Sequence, residues 1–488
     1  MPRIFSIDAK KIIALVLAIP AVYILAYLIA TKGVMIALAG IVFPVILFYL
    51  IGLFKKPEIG LWTLFTINYF ILGLTRYFPQ PLGLAIDSLL VLTHLAVFIR
   101  YFYDRDLYKK TKSDLLFLAA IWYLYALFQL VNPEAVSREA WFYAMRGVSL
   151  HTLLIIPLVF MLADKYRNLN FFIHLWMLFA MLGVLKGLMQ KFIGLDRWEQ
   201  HWLDSGGALT HLLFGKLRIF SFFTDAGQFG AAMGYAGVVF SILAISAKSV
   251  KHKLVYGSAA ALFFYGMIIS GTRGAVAVPL GGFLWYIILR KNMKIIVSGS
   301  IIGIILYVFI FHTSIGQGNY DINRMRTAFD KDNPSLQVRF DNQKKLKAYM
   351  ATRPFGGGIG SSGNWGQRFS PATFLANTPT DSWYVMIWAE QGIVGLILHL
   401  GILFYILIKS AGIIMFRLKD PWLIAQMQAL AAGFFGIMLA SYGNGVLGQM
   451  PTGIILYMSW AFLFLSPKFD NEIENIKAGN HNKFLKSQ

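Results

Sequence analysis

The chain has 488 residues, of which 57% are hydrophobic and only 14% are charged, and its mean hydropathy is +0.62. This composition excludes an ordinary soluble protein and predicts one membrane domain. The net charge of +21 would suit a nucleic-acid-binding protein only if the basic residues clustered on a soluble face, and they lie between apolar runs instead.

Apolar runs succeed one another along the chain. They centre near residues 21, 43, 68, 93, 122, 157, 180, 237, 262, 282, 303, 401, 434 and 459. A helix needs about 20 apolar residues to cross about 30 Å of hydrocarbon, and lipid offers no hydrogen-bond partners to other backbone conformations. The sequence therefore predicts an all-α, polytopic integral membrane protein with about 12–14 transmembrane helices.

The basic residues favour one orientation. With the N-terminus inside, more than half of the 44 lysines and arginines fall in inner segments such as Lys55–Lys56, Lys248–Lys253 and Lys409–Lys419. Because cytoplasmic loops carry an excess of Lys and Arg, both termini are predicted in the cytoplasm. The first run, Ile12–Thr31, has no convincing small-residue cleavage site, so we predict a retained span.

The predicted domain organisation is one transmembrane domain, 1–467, followed by a polar cytoplasmic tail, 468–488, which we expect to be solvated or disordered. The domain includes a large outer loop, 312–381, and loops of this length are uncommon unless they are functional. Within the loop, Ser335–Tyr349 has helix-forming composition. The glycine-rich run Gly356–Gly360 then ends the helix and permits close backbone approach.

Four outer arginines are candidate substrate-binding residues. Arg273 lies in a polar SGTRG break between two apolar runs, where it either snorkels to the headgroups or serves an anion. Arg218 opens the segment RIFSFFTDAGQFG at the outer end of another span. Arg339 and Arg353 flank the loop helix. A planar guanidinium can form bidentate hydrogen bonds with phosphate oxygens, which favours an anionic substrate.

Each neighbouring polar residue also has a structural interpretation. Thr224 or Asp225 can cap the helix that follows Arg218. Lys344, Lys345 and Lys347 in the loop helix are discounted as a solvated face.

Buried and interfacial polar residues leave further choices open. Lys186, inside a span, either snorkels or faces a polar cavity. His94, His174 and His399 fall in apolar runs without a metal-ligand partner three or four residues on, which indicates hydrogen-bonded interior histidines. The aromatic segment Asp381–Glu390 is predicted to lie at the membrane interface before the next span.

Asp381 is the candidate catalytic base. It is the first acidic residue after the glycine-rich run, and a carboxylate can accept a proton from a substrate hydroxyl. The competing interpretation is that Asp381 caps the helix that follows it. The chain has no cysteine, so disulfides, thiolate nucleophiles and zinc–thiolate sites are excluded.

The order of these motifs resembles the O-antigen ligase and polymerase superfamily of bacterial envelopes. SGTRG follows one span, R-P-x-G-G-G-x-G (Arg353–Gly360) lies in a large outer loop, and E-x-G-I-V-G (Glu390–Gly395) enters the next span. RIFSFFTDAGQFG is similar to a family segment that opens an earlier span with an arginine. The resemblance covers roughly Arg218 to Gly395.

The resemblance implies an inverting, metal-independent glycosyl transfer without a cofactor, at the periplasmic face of the bacterial inner membrane. The donor would be a glycan on undecaprenyl pyrophosphate, and the acceptor a hydroxyl on lipid A core, another glycan or a protein. O-antigen ligation is the leading interpretation, with polysaccharide polymerisation or protein O-oligosaccharyl transfer as alternatives. A transporter of lipid-linked glycan or small solutes, or a noncatalytic scaffold, belongs to another class. Membrane lipids, and no nucleic acid, are the further partners expected.

One position departs from the family pattern. Family members commonly carry His-Asn nine residues before Glu-x-Gly, with the histidine as proposed base, and the equivalent residues here are Asp381 and Ser382. Either Asp381 takes over the role of the base, or the acceptor is activated differently, or the activity differs.

Overall fold

The computed structural model describes residues 34–291, except 79, 81 and 214, and residues 334–486; outside these ranges it describes isolated positions only. Most described residues are helical. The first helices are α1 (Val34–Lys55), α2 (Glu58–Leu74), α3 (Leu84–Tyr101), α4 (Asp114–Phe128), α5 (Arg138–Met145), α6 (His151–Leu162) and α7 (Tyr166–Phe192). The others are α8 (Arg197–Trp202), α9 (Ala208–His211), α10 (Ala226–Ser246), α11 (Val250–Ile269), α12 (Ala277–Leu289), α13 (Pro334–Met350), α14 (Gly363–Phe369), α15 (Trp383–Phe416), α16 (Pro421–Ala440) and α17 (Thr452–Lys486).

Short turns and one small hairpin join these helices. The single turns of 3-10 or π helix are Leu107–Thr111, Gln129–Val131, Arg146–Leu150, Leu203–Gly207 and Arg273–Val276. Strands β1 (Leu212–Leu213) and β2 (Lys216–Leu217) pair antiparallel, with Leu212 opposite Leu217. The hairpin directly precedes Arg218, and so fixes the position of the Arg218 backbone.

Among the described residues, nine helices are long and apolar enough to cross a membrane. They are Leu84–Tyr101, Asp114–Val131, Arg138–Leu162, Tyr166–Phe192, Ala226–Ser246, Val250–Ile269, Trp383–Phe416, Pro421–Ala440 and Thr452–Ala478. Three shorter apolar helices are Val42–Lys55, Glu58–Leu74 and Arg273–Leu289. Every predicted run falls in one of these helices except those centred near 21 and 303, which lie outside the described residues. The prediction of an all-α polytopic membrane protein is confirmed.

Capping side chains decide two of the alternatives left open by the sequence. The Asp225 carboxylate accepts the backbone N–H of Gln228 at 2.9 Å and begins α10, so one of the two predicted caps is confirmed. At α15 the cap is Ser382, whose hydroxyl accepts the backbone N–H of Val385. The interpretation of Asp381 as the cap of this helix is therefore wrong.

Helices α10 and α16 form the buried centre of the bundle. Small residues let the backbones approach, because a Cβ on Gly433 would overlap the ring of Tyr235, and one on Gly436 would overlap the carbonyl of Val278 at the start of α12. Both helices are almost entirely buried. Their packing against each other and against α12 brings the start of α10, the turn before α12 and the end of α16 together, and Arg273 lies at this junction.

The C-terminal tail differs from the expectation. Helix α17 continues through it, so disorder, one of the two predicted alternatives for 468–488, is wrong over the residues whose side chains are described. Exposed side chains such as Asn471 and Lys477 agree with the other alternative, a solvated segment. The Lys468 ammonium lies 2.5 Å from the Asp164 carboxylate, and Asp470 accepts the backbone N–H of Lys419 at 2.9 Å. These contacts order the tail, although its composition is polar. Its cytoplasmic location stays a prediction.

Candidate active site

A sharp turn between α11 and α12 is the centre of the candidate site. Ser270 Oγ accepts the N–H of Thr272 at 3.2 Å, and Thr272 Oγ1 donates to the carbonyl of Ala226 at 2.9 Å. Gly271 adopts φ +59°, a conformation that side chains disfavour. Arg273 then begins the 3-10 turn that leads into α12. The hydroxyls and the glycine therefore hold this arginine at a fixed place.

Arg218 lies against the same turn. Its backbone N–H donates to the carbonyl of His211 at 2.8 Å, which continues the hairpin pairing. One guanidinium nitrogen donates to the carbonyl of Thr210 at 2.9 Å, and another donates to Thr272 Oγ1 at 2.9 Å. The hairpin therefore directs Arg218 towards the turn that carries Arg273.

A further arginine, which sequence reasoning missed, contacts this turn. Arg324 Nε donates to the carbonyl of Gly271 at 2.5 Å. A Cβ on Gly271 would lie 3.3 Å from Arg324 Cδ and 3.7 Å from Arg218 Cγ. The glycine therefore packs between two arginine side chains. No motif around Arg324 distinguishes it from an ordinary loop arginine.

Arg339 and Asp381 form an ion pair near the same turn. Arg339 Nε is 3.4 Å from Asp381 Oδ2, and half of the Asp381 side chain is exposed. A Cβ on Gly443, in the loop after α16, would lie 3.8 Å from Arg339 Nη1 and 3.7 Å from Gly274 Cα. The loop after α16 therefore links the Arg339–Asp381 pair to the SGTRG turn.

The structure thus brings together three of the four predicted arginines and the predicted base. Arg218 contacts the turn at 270–274, Arg273 belongs to it, and Arg339 reaches it through the loop after α16. Asp381 is paired with Arg339. The part of each residue in binding or catalysis stays a prediction.

Arg353 makes a separate set of contacts. Its Nε lies 2.8 Å from Glu134 Oε2, and its guanidinium lies 4.1 Å from the centre of the Tyr349 ring. The hydrogen bond to Glu134 raises the pKa of Arg353 above its ordinary value. These contacts attach the end of α13 to the connection before α5. Its predicted role in substrate binding remains a prediction, and its described contacts are structural.

The glycine-rich run packs against protein backbone. Gly356 has φ +79°, and a Cβ there would collide with the backbone between Glu390 and Gly392. Gly392 itself has φ +70° and breaks the helical conformation of α15. At Gly358, φ is +92° and a Cβ would lie 2.5 Å from Cβ of Ala135. The predicted close approach is confirmed, and its partners are the break in α15 and the connection before α5.

Glu390 ties the segment after α13 to α15. The sequence placed it at the end of an interfacial segment, but it is only 1% exposed and lies in α15 just before the break. Its Oε1 accepts the Ser362 hydroxyl at 2.7 Å and the Ser362 backbone N–H at 3.2 Å. Its carbonyl accepts the N–H of Gly358 at 2.8 Å. The E-x-G motif therefore anchors the loop that carries Arg339.

Arg76, which follows the C-terminal end of α2, supports the segment between the hairpin and α10. Its guanidinium donates to the carbonyls of Ser221 at 3.0 Å and Thr224 at 3.1 Å. It also lies 4.3 Å from the centre of the Phe220 ring and 4.5 Å from that of Trp202. Burial lowers the pKa of Arg76 to about 10, so the group stays protonated at neutral pH. In the sequence, Arg76 does not differ from an arginine at a helix end that extends its side chain to the lipid headgroups.

The remaining polar residues noted in the sequence have local partners. Lys186 lies 3.1 Å from an Asp196 carboxylate oxygen and forms a structural ion pair. His94, His174 and His399 are all hydrogen-bonded, as predicted, although His174 is exposed and not interior. Within the described part of the chain, no group of three or more His, Cys, Asp or Glu residues is placed to hold a metal ion.

Comparison with known families agrees with the motif order. The family model described as O-Antigen ligase matches residues 258–400. This region contains Arg273, Arg353 and Asp381, whereas Arg218 lies outside it. No curated protein matches the sequence. The resemblance drawn from the motifs is confirmed, and over residues 258–400 this polytopic membrane protein is similar to the O-Antigen ligase family.

Proposed function

We propose that the chain is an inverting, metal-independent glycosyltransferase that moves a glycan from undecaprenyl pyrophosphate to an acceptor hydroxyl. The observation that carries this proposal is the convergence of Arg218, Arg273 and Arg339 on the turn at 270–274. A diphosphate leaving group gains negative charge as the glycosidic bond breaks, and guanidinium groups held in place stabilise that charge. The family match supports the reaction class.

In the proposed reaction, the bond between the anomeric carbon and the diphosphate oxygen breaks, and its electron pair leaves on the diphosphate. The acceptor oxygen forms a new bond to the same carbon from the opposite face, which inverts the configuration. The Asp381 carboxylate accepts the proton of the acceptor hydroxyl and becomes a carboxylic acid. Its half-exposed side chain and its contact with Arg339 support this role, because the carboxylate is both accessible and oriented.

Arg353 remains a proposed substrate contact at the edge of the site. It follows α13, the same helix that carries Arg339, which supports a place beside the substrate. Its ion pair with Glu134 must be broken or shared before it can bind a phosphate. We therefore expect its substitution to weaken transfer less than that of Arg273.

We also propose that the site faces the periplasm, that the membrane is the bacterial inner membrane and that both termini are cytoplasmic. The distribution of lysine and arginine between the apolar runs supports this orientation. The lipid tail of the donor would remain in the bilayer beside the helices. The acceptor would be a hydroxyl on lipid A core, which defines an O-antigen ligase.

The test is a transfer assay with purified protein in lipid nanodiscs, undecaprenyl-pyrophosphoryl glycan, acceptor and EDTA. We expect glycosylated acceptor and released undecaprenyl pyrophosphate, with the rate reduced about 100- to 1000-fold in Arg273→Ala. Arg138→Ala is the matched control, because Arg138 is an exposed arginine at the start of α5, and it should retain the rate. Absence of transfer, or equal rates for Arg273→Ala and wild type, would overturn the proposal.

A panel of acceptors distinguishes the related activities. Transfer to lipid A core identifies a ligase, transfer to a second lipid-linked glycan identifies a polymerase, and transfer to a protein identifies an O-oligosaccharyltransferase. Movement of lipid-linked glycan across a proteoliposome membrane without glycosidic bond formation would identify a transporter instead.

A further inference from the structure

Asn444 lies where the outer ends of α10, α12 and α16 meet. Its backbone N–H donates to the carbonyl of Ala440 at 3.1 Å, which places it in the tight turn after α16. The side-chain nitrogen Nδ2 is buried and has no hydrogen-bond partner among the residues that the structure describes. An amide donor in this position loses its hydrogen bonds to water and gains none in exchange.

Two glycines make room for the Asn444 amide. A Cβ on Gly274 would overlap Nδ2, and a Cβ on Gly227 would lie 3.7 Å from Oδ1. Gly274 directly follows Arg273, and Gly443, next to Asn444, is the residue near Arg339 Nη1. The unpaired donor is therefore adjacent to two of the arginines assigned to the diphosphate.

The loop around Asn444 is held in place. Gln228 is 1% exposed, and its Nε2 donates to the Gly445 carbonyl at 3.3 Å and to Gln449 Oε1 at 2.6 Å. The Asp225 carboxylate, which caps α10, accepts the backbone N–H of Gln228. The asparagine is thus presented by a fixed loop, which is the arrangement required of a preorganised binding residue.

We infer that Asn444 is a substrate-binding residue, whose Nδ2 donates a hydrogen bond to an oxygen of the donor diphosphate beside Arg273. This inference rests on the proposed function. A neutral amide adds a direction-specific donor to the site without adding positive charge. Buried polar groups without a partner are rare in folded proteins, and a ligand that completes the hydrogen bond explains why this one is retained.

The test measures the binding of undecaprenyl pyrophosphate to the full chain in nanodiscs, together with the unfolding midpoint without ligand. Asn444→Leu, which keeps the size and removes the donor, should weaken binding about tenfold. Asn444→Asp should weaken binding further, because its carboxylate repels the diphosphate. Asn471→Leu, at an exposed asparagine of α17, is the matched control and should bind like wild type.

The unfolding midpoint without ligand shows whether a substitution acts on ligand binding or on the stability of the fold. Asn444→Leu should unfold at the same temperature as wild type or a higher one, because the substitution removes an unsatisfied polar group. A lowered midpoint, or unchanged binding, would overturn the inference. Arg273→Ala is measured in parallel to test the proposed function separately. Normal binding by Arg273→Ala would show that the proposed diphosphate site is wrong. If Arg273→Ala binds weakly while Asn444→Leu binds like wild type, only the role of Asn444 is rejected.

Discussion

The two ends of the helix bundle use charge differently. At the tail end, defined by residues 468–477, carboxylates pair with lysines across the connections, as in Asp164, which lies 2.5 Å from Lys468 and 3.1 Å from Lys110. At the turn end, defined by residues 270–274, arginines gather on one short segment and donate to backbone carbonyls and hydroxyls, as Arg218 does.

This difference indicates which charges are structural and which serve a ligand. Ion pairs between loops fix the loops relative to one another, and their opposite charges compensate. Like charges gathered on one turn repel each other, so the fold must hold them there at some cost in stability. Clusters of this kind are typical of functional sites, which often carry strain or unfavourable electrostatics. The following substitutions test this division.

The largest effect is expected at the turn end, for Asp381→Asn. If Asp381 accepts the acceptor proton, the amide cannot replace it, and the transfer rate should fall about 10²- to 10⁴-fold while donor binding persists. The measurement is the transfer rate at saturating donor, with binding measured separately. Asp341→Asn is the control, because this exposed carboxylate lies on the helix of Arg339 and pairs with Lys344. Equal rates for both variants would exclude Asp381 as the base.

Next in size is Gly392→Ala, which tests the packing of the glycine-rich run against α15. The new Cβ would overlap the Pro354 carbonyl, and φ at this residue is +70°, so about 3 kcal/mol or more of stability should be lost. The measurement is the unfolding midpoint in nanodiscs. Gly401→Ala in the same helix is the control, since a Cβ there meets nothing within 4 Å. A midpoint for Gly392→Ala equal to that of Gly401→Ala would contradict the packing described for the glycine-rich run.

A smaller effect is expected at the tail end, for Asp164→Asn. Burial raises the pKa of Asp164, but hydrogen bonds from Lys468 and Lys110 outweigh burial and hold the pKa below its ordinary value. In the unfolded chain the pKa of an aspartate is about 3.9, so the ionised Asp164 carboxylate stabilises the fold above that pH. This stabilisation is lost as the pH falls through the lower pKa of Asp164 in the folded protein. Asp164→Asn should therefore cost about 1–3 kcal/mol at neutral pH, and it should weaken the loss of stability below about pH 4.

The control for this prediction is Asp106→Asn. Asp106 is an exposed carboxylate paired with Lys109, so its substitution should leave neutral stability almost unchanged. Transfer activity per folded molecule should be the same in wild type and Asp164→Asn. A loss of activity without a loss of stability would show that the tail end takes part in the reaction.

The smallest effect is expected when Lys344, Lys345 and Lys347 are all replaced by Gln. These side chains are exposed on α13, where solvent and salt screen their charge, so donor affinity should change less than about twofold. Arg339→Gln, on the same helix, should reduce affinity much more. If the triple lysine variant bound the donor more weakly than Arg339→Gln, donor affinity would come from a generally positive surface and not from a specific site.

The sequence predicted the helices well because span length and apolar composition are local properties. It also predicted that Arg218, Arg273 and Arg339 lie at one end of the bundle. It did not predict the pairing of Arg353 with Glu134, whose positions are 219 residues apart in the chain. Asn444 was missed because a single asparagine in a loop carries no motif.

Other features depend on contacts that hydropathy does not record. Composition predicted a solvated or disordered tail, and disorder was wrong because ion pairs and backbone hydrogen bonds to connections far away in sequence order the segment, as at Lys468 and Asp470. The glycines between Gly356 and Gly360 predicted a close backbone approach, while the partner backbone at Gly392 is set by the break in α15. Tertiary structure, which local patterns do not encode, therefore decides these features.

The most direct test of the central claim is an experimental density map of the protein in nanodiscs with undecaprenyl pyrophosphate. We expect density for the diphosphate beside the turn at 270–274, within hydrogen-bond distance of Arg273 and at least one of Arg218 and Arg339. Diphosphate density at the tail end, or beside Arg353 with the turn unoccupied, would contradict it.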